Sequence, residues 1–158
     1  MLKCMKCGNC CRNLLEEREG VLKGLTLTAN EKSLFPSNMV SPLTATGKER
    51  PEHIIDYQLN VNDCPHIDKT NQCRIYDKRP LICRAFPYVQ RGFSVKCTVL
   101  KGVFKKEGLP VVFPVPPAER EADQKRDRYF QNRRRKYSKT DSKMWLFNLA
   151  TKQWVERA

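Results

Sequence analysis

Cys4-Met5-Lys6-Cys7-Gly8-Asn9-Cys10-Cys11 places four of the chain's eight cysteines within eight residues. Three of them follow a C-x2-C-x2-C spacing, which supplies three corners of a cubane iron–sulfur cluster when a fourth ligand comes from elsewhere. Gly8 permits the positive φ that such a turn often needs. We therefore expect the fold to be organised around these sulfurs.

The other four cysteines are spread along the chain, at Cys64, Cys73, Cys83 and Cys97. Zinc sites more often combine two separate C-x2-C turns, and these four do not form a second one. The spacing favours a 4Fe–4S cluster, with zinc as the alternative. All eight cysteines are predicted metal ligands: Cys4, Cys7, Cys10, Cys11, Cys64, Cys73, Cys83 and Cys97.

Disulfides are the competing interpretation of so many cysteines. The chain opens on Met1-Leu2-Lys3 without an apolar signal region, and its apolar stretch Leu109–Pro117 is interrupted by prolines. We therefore expect no membrane span and a cytoplasmic location, where thiols stay reduced. Adjacent cysteines such as Cys10 and Cys11 also bridge each other poorly. Metal ligation is favoured over disulfides.

The grouping of ligands follows from that adjacency. We expect Cys10 and Cys11 to face opposite ways and to serve different sites. Cys4, Cys7 and Cys10 would then share a site with one remote cysteine, and Cys11 would join three others. His66, two residues after Cys64, is expected to be a surface or hydrogen-bonded histidine rather than a ligand.

Chain length and composition predict a small irregular α+β fold. Ten prolines and seven glycines cut the 158 residues into short pieces, and a loop-rich body of this size usually needs staples. We expect a metal-stabilised, cysteine-rich body over residues 1–110, with bound ions supplying much of the folding free energy. Residues 111–158 would form a basic C-terminal helix and extension.

Local patterns predict several elements. Thr28 and Glu31 form a capping box that starts a short helix ending before Pro36. Pro116-Pro117 opens the clearest helix, Ala118 to Tyr137. The remaining predictions are a helix from Arg12 to Arg18, a helical turn from Ile75 to Lys78, and strands from Val21 to Leu27, Ile54 to Val61 and Phe93 to Leu100.

The C-terminal region is strongly basic. Between Gln124 and Lys143 nine Lys or Arg residues face two acids, within a chain whose formal net charge is +13. The apolar stripe of the predicted helix is thin, so we expect a partner to order it or solvent to surround it. The charge favours RNA or a ribonucleoprotein such as the ribosome, bound by Lys125, Arg126, Arg128, Arg133, Arg134, Arg135, Lys136 and Lys139, with Tyr129, Phe130 and Tyr137 stacking on bases or ribose.

An apolar segment follows this helix. Met144–Leu149, with Trp154 and Val155, needs somewhere to dock. It either folds back on the body or anchors in a groove of a protein partner.

The motif residues together resemble a known family. Cys4-x2-Cys7-Gly8-x-Cys10-Cys11-Arg12, Cys64-Pro65 and Cys73-x-Ile75-Tyr76-x2-Arg79-Pro80-x2-Cys83-Arg84-x-Phe86-Pro87 are similar to the YkgJ-type, or CxxCxxCC, cysteine-cluster family. The resemblance covers about residues 4 to 97 and implies a zinc- or iron-chelating domain. Arg79 and Arg84 would offset the charge of the metal site, and Tyr76 would shield it from water, unless these are ordinary core and turn residues.

Larger relatives in that family supply an alternative function. Some are flagellin lysine N-methylases that carry an iron–sulfur cluster, so the resemblance allows an iron–sulfur enzyme or a redox protein. The chain shows no G-x-G-x-x-G signature, no P-loop and no Ser/His/Asp order. A non-catalytic, metal-binding RNA-associated module is therefore favoured over the enzyme.

Overall fold

The computed structural model describes residues 8–86, 88–89, 92–93 and 117–157. These residues fall into two compact units. The cysteine unit comprises Met1–Asn13 and Asp63–Lys125, and the sheet unit comprises Leu14–Asn62 and Arg126–Ala158. The predicted domain boundary at residue 110 lies outside the described residues and stays a prediction.

The described elements are mostly short strands. In chain order the strands are β1 Glu16–Arg18, β2 Val21–Lys23, β3 Thr26–Leu27, β4 Val40–Gly47, β5 His53–Leu59, β6 Tyr88–Val89, β7 Gly92–Phe93, β8 Lys143–Asn148 and β9 Gln153–Arg157. The α-helices are α1 Leu81–Ala85 and α2 Pro117–Tyr137, and the 3-10 turns are Asn9–Cys11, Ala29–Leu34, Ser37–Met39 and Tyr76–Lys78.

The sheet unit is built on a five-stranded antiparallel sheet with the strand order β3-β5-β4-β8-β9. Its core consists mainly of aliphatic side chains, and Leu27, Ile55 and Leu59 are fully buried. Each such side chain contributes about 1.5–3 kcal/mol when it is removed from water. The sheet unit therefore has a hydrophobic core of its own, to which no cysteine contributes.

Gln58 is a buried polar residue that joins three segments of this unit. It is fully buried on β5. Its side-chain oxygen accepts from the Gly24 N–H at 2.8 Å, and its amide nitrogen donates to the carbonyls of Pro42 at 2.8 Å and Phe147 at 3.3 Å. Because these groups satisfy one another, the buried amide fixes strand positions without leaving an unpaired donor.

Helix α2 ends on the sheet unit rather than in solvent. Arg133 donates from Nε to the Ile55 carbonyl and from Nη2 to the Ile54 carbonyl, both at 2.7 Å. The Tyr129 hydroxyl accepts from the Ala29 N–H at 2.7 Å, and the Tyr137 ring stacks on His53 with centroids 5.0 Å apart. The expectation that a partner orders this helix, or that solvent surrounds it, is wrong because polar and aromatic contacts replace the missing apolar stripe.

These contacts also change the interpretation of the basic residues. Tyr129, Phe130 and Tyr137 are half-buried, and the first and last of them bond or stack within the unit. Stacking of these rings on RNA stays a prediction. The Arg133 guanidinium holds two carbonyls, which occupies donors that the sequence assigned to nucleic acid.

The apolar segment after the helix forms strands. β8 pairs with β4 and β9, and the Trp145 indole N–H donates to the Gly47 carbonyl at 3.1 Å. Phe147 and Trp154 meet edge to face with centroids 5.3 Å apart. The segment thus folds back within the sheet unit, and a protein groove as its partner stays a prediction.

Two local predictions near the start of the unit are corrected. Arg12 to Arg18 is not a helix, because β1 pairs with β2 through a turn in which Glu19 and Gly20 both have positive φ, the conformation of a tight hairpin turn. The predicted strand from Val21 to Leu27 is divided at Gly24. A Cβ there would lie 1.7 Å from the Leu59 carbonyl oxygen, so the close backbone approach requires glycine.

Other predictions are confirmed. The Thr28–Glu31 capping box is present and starts the turn Ala29–Leu34. α2 begins one residue before its predicted start and ends where predicted. The strand predicted from Ile54 to Val61 appears as β5, His53–Leu59. The helical turn predicted from Ile75 to Lys78 appears as Tyr76–Lys78. Of the strand predicted from Phe93 to Leu100, residues 94–100 lie outside the described residues.

The fold is therefore mixed α+β, as predicted, but with more sheet than expected. The sequence predicts that bound metal stabilises the whole body, but the described residues do not show this. The sheet unit contains the larger sheet and has a mainly aliphatic core of its own. Among the helices in the described ranges, none combines the length and apolarity needed to cross a membrane.

Asp56 makes the stability of the sheet unit depend on pH. Burial raises the pKa of Asp56 to about 6, although hydrogen bonds from the Thr44 N–H and hydroxyl, and the charges of Arg134 and Arg133, act in the opposite direction. A raised folded-state pKa contributes stability below the unfolded-state value, and this contribution is lost as pH rises through about 6. Between pH values of about 4 and 7, the unfolding free energy of wild type should fall by about 2 kcal/mol relative to that of Asp56→Asn.

Urea unfolding followed by tryptophan fluorescence measures this difference, because both tryptophans lie in the sheet unit. Asp141→Asn, which neutralises an exposed carboxylate of the same unit, is the matched control and should track wild type. A pH-independent difference between wild type and Asp56→Asn would contradict the assignment.

Arg133 should matter for folding where its exposed neighbour does not. Arg133→Ala removes two charge-assisted hydrogen bonds to β5 and should cost the sheet unit about 2–3 kcal/mol of unfolding free energy. Arg135→Ala, one half-turn away on the exposed side, should change it by less than about 0.5 kcal/mol. Equal effects of the two substitutions in urea unfolding would show that Arg133 does not hold α2 on the sheet.

Candidate metal centre

The division of the chain into units also divides its cysteines. All eight predicted ligands fall within the ranges of the cysteine unit, and the sheet unit contains none. Cys10, Cys11, Cys64, Cys73 and Cys83 are among the described residues. Cys4, Cys7 and Cys97 lie outside them.

The first described cysteines sit on a tight turn. Gly8 has φ +78° and precedes the 3-10 turn Asn9–Cys11, which is closed by a hydrogen bond from the Cys11 N–H to the Gly8 carbonyl at 3.0 Å. The sulfurs of Cys10 and Cys11 are 4.0 Å apart and hydrogen-bonded. The expectation that these side chains face opposite ways is wrong, because the turn lets both thiols rotate toward each other.

Backbone contacts order the segments that carry the later cysteines and join one of them to this turn. The Cys64 N–H donates to the Cys11 carbonyl at 2.8 Å, which links the two segments directly. Cys73 pairs with Ile67 in an isolated antiparallel bridge. Cys83 lies on α1, which follows Pro80, and the proline restricts the backbone of Arg79 just before it.

The thiols lie close enough to alter one another's protonation. The hydrogen bond with Cys10 raises the pKa of Cys11 far above its usual range, and the charges of Cys10, Cys64 and Cys83 raise it further. Burial raises the pKa of Cys64, with further contributions from Cys73 and Cys10. Removing protons from several of these thiols together therefore requires a compensating positive charge.

Arg79 supplies part of that charge. The hydrogen bond from Cys11 lowers the pKa of Cys10 to about 7, against the effect of burial, and Arg79 lowers it further. Burial and the neighbouring thiols raise the pKa of Cys83, again with Arg79 opposing. Arg79 also donates from Nε to the Tyr76 carbonyl at 2.9 Å, and its guanidinium lies 3.8 Å from the Tyr76 ring centroid.

The other two residues predicted to surround the metal lie nearer to solvent. Tyr76 keeps 60% of its surface exposed, so its ring acts on Arg79 rather than as a buried cover over the sulfurs. Arg84 is exposed and, with Arg79, lines an open pocket beside the first turns of α2, at Ala118–Lys125. The roles predicted for these residues toward a bound metal stay predictions.

The donor chemistry fits zinc or an iron–sulfur cluster, since both take thiolate ligands. Within the described ranges, no group of three or more Cys, His, Asp or Glu side chains is spaced to hold a metal ion. The described thiols are thus gathered without closing a coordination sphere by themselves. The remaining predicted ligands are the cysteines outside the described residues.

Sequence reasoning missed three polar residues next to these cysteines. Arg12 donates to the Asn71 side-chain oxygen across 59 positions of the chain, and Asp68 organises the loop that carries Asn71. The Asp68–Gln72 run of turn-forming residues signals a loop. Nothing in the sequence pairs that loop with Arg12.

Comparison with known proteins agrees with this chemistry. Residues 3–107, more than half of the chain, match the family model CxxCxxCC, described as "Putative zinc- or iron-chelating domain". No curated protein and no solved structure matches the chain. The family match spans every predicted cysteine ligand, and the chain belongs to the CxxCxxCC family of zinc- or iron-chelating domains.

Proposed function

We propose that the cysteine unit holds an iron–sulfur cluster on its thiolates, with zinc as the alternative metal. The observation that carries this proposal is that all five cysteines among the described residues lie in one unit, where their thiols act on one another. The C-x2-C-x2-C spacing favours iron–sulfur chemistry. A bound cluster would supply one-electron transfer or a stable cross-link, and zinc would supply the cross-link alone.

The residues of the chain have distinct tasks in this proposal. Cys10 and Cys11 present two sulfurs from one turn, while Cys64 and Cys83 approach from later segments. Arg79, whose charge lowers the pKa of two thiols, would offset the −2 charge of a metal bound by four thiolates. Tyr76 would keep that guanidinium in place through its carbonyl and its ring.

Metal analysis of protein purified without oxygen tests this proposal. We expect stoichiometric iron with sulfide and a brown colour from sulfur-to-iron charge transfer; colourless protein with stoichiometric zinc would support the alternative. Cys64→Ser and Cys83→Ser should each lower the metal content. Ser41→Ala, in the sheet unit, should not.

Unchanged tryptophan fluorescence in these variants would show that the sheet unit remains folded. Wild-type protein that is folded but holds neither iron nor zinc, or that carries disulfides, would refute the proposal.

As a second function, we propose that the exposed side of α2 binds RNA. The observation in favour is a set of exposed cations in the sheet unit. They lie on α2 or just after it: Arg128, Arg134, Arg135, Lys136 and Lys139. The inward-facing residues of the same helix are already engaged, so the exposed cations are not needed to hold the fold. A ribonucleoprotein such as the ribosome provides many phosphates for such a surface.

The contacts would be made chiefly to phosphate. The Tyr129 hydroxyl and the Tyr137 ring are already engaged within the unit itself, so the exposed cations carry most of the proposed binding. Lys125, in the cysteine unit, pairs with Glu121 at 3.0 Å, and Arg133 holds β5. Binding should therefore be salt-sensitive and tolerant of base sequence.

Charge reversal on two surfaces of the sheet unit tests RNA binding. Arg128→Glu with Arg135→Glu should weaken binding to a labelled RNA and reduce the slope of log affinity against log salt by about 1–2. Lys152→Glu with Arg157→Glu reverses the same number of charges at two exposed positions of the β8–β9 hairpin and is the matched control.

Fluorescence anisotropy over a series of salt concentrations measures both effects. An equal loss of RNA affinity in the two double variants would show that net charge alone causes the effect. Absence of RNA binding by wild-type protein at low salt would refute the RNA proposal. The lysine N-methylase-like or redox enzyme, and the cytoplasmic location, stay predictions that neither experiment requires.

A further inference from the structure

A polar loop lies between two of the cysteines in the cysteine unit. Within this loop, Asp68 Oδ1 accepts from the Thr70 N–H at 2.8 Å, the Thr70 hydroxyl at 2.7 Å and the Gln72 N–H at 3.0 Å. The Asp68 N–H donates in turn to the Gln72 carbonyl at 2.9 Å. One carboxylate thus holds the loop closed through local hydrogen bonds.

This loop fixes the segments on both of its sides. Ile67 forms the bridge with Cys73, and the Arg74 N–H donates to the His66 carbonyl at 2.8 Å. The Ile67 N–H also donates to the Cys64 carbonyl at 3.3 Å. The backbone around Cys64 and the backbone around Cys73 are therefore tied into one small hairpin by bonds that involve no sulfur.

The loop is also tied to the first cysteine turn. Arg12 Nη1 donates to Asn71 Oδ1, and the Cys64 N–H donates to the Cys11 carbonyl. A Cβ on Gly8 would lie 2.5 Å from Arg12 Nη1 and 3.0 Å from Asn71 Oδ1, so the guanidinium and the amide pack directly against this glycine. Asn71 holds φ +63°, a conformation that asparagine tolerates better than most residues.

We infer that Arg12, Asn71 and Asp68 form a clamp that keeps the cysteine segments together when no metal is bound. The inference rests on the proposed metal-binding function and adds to it three positioning residues, none of which is a ligand. The metal would then enter a site whose backbone is already assembled. Loading and release would occur without unfolding of the clamped segments, unlike sites that fold only when metal binds.

Substitutions at Asn71 test the hydrogen bond of its side chain separately from the positive φ of its backbone. Asn71→Gly removes the acceptor but suits the positive φ, and Asn71→Asp keeps an oxygen for Arg12. In competition against a chromophoric chelator with Zn²⁺, Asn71→Gly should bind at least about tenfold more weakly than wild type, as loss of an outer partner of a metal site does. Asn71→Asp should stay within about threefold, because the charge-assisted hydrogen bond remains.

A double-mutant cycle checks that Arg12 and Asn71 act through each other. Arg12→Ala should weaken Zn²⁺ binding to a similar degree, and Arg12→Ala with Asn71→Gly should add little to either single effect. Co²⁺ absorption bands should shift in the clamp variants while tryptophan fluorescence of the sheet unit stays unchanged. A general loss of folding would alter both signals.

Hydrogen exchange on metal-free wild-type protein tests the clamp without any substitution. The amides of Cys64, Ile67, Gln72 and Arg74 should stay protected after the metal is chelated. Exchange of these amides at the unfolded rate, or Zn²⁺ binding by Asn71→Gly as tight as wild type, would overturn the inference. Failure of wild-type protein to bind any metal would instead overturn the proposed function.

Discussion

Thiolates that lie close together repel one another unless a cation stands among them, and this constraint governs the cysteine unit. Cys10 and Cys11 project from one turn, and the backbone of Cys64 is bonded to that of Cys11. Neutral thiols relieve the repulsion at the cost of their ligand chemistry. Bound zinc or iron relieves it while keeping the sulfurs deprotonated, which is why family membership and local geometry point to the same chemistry.

The sheet unit meets a different set of requirements. Leu27, Ile55 and Leu59 form its core, Gln58 satisfies a buried set of strand groups, and Arg133 attaches α2 to β5. None of these contacts uses a cysteine. The sheet unit is thus stabilised by buried, mainly aliphatic side chains, whereas the described cysteines lie in the other unit. The first of these units also carries exposed cations of α2.

Short-range signals were the reliable part of the sequence. The Thr28–Glu31 capping box and the Pro116-Pro117 helix start predicted their elements because each signal lies within a few residues of its effect. The turn at Glu19-Gly20 was missed, since glutamate rarely adopts positive φ, and a helix was predicted where β1 lies. Cysteine spacing indicated metal ligation, yet the Arg12–Asn71 contact joins residues 59 positions apart and depends on the folded chain. Likewise, only the sheet shows that Tyr137 stacks on His53 instead of remaining exposed.

X-ray absorption at the metal edge of the purified protein tests the central claim most directly, because it reports which atoms surround the metal. Convergence of the cysteine segments predicts a shell of sulfur alone, at about 2.3 Å for zinc or iron, with a further iron–iron shell if a cluster is bound. A first shell dominated by nitrogen or oxygen at about 2.0–2.1 Å would show that the gathered thiols are not the ligands. That result would contradict the account of the cysteine unit.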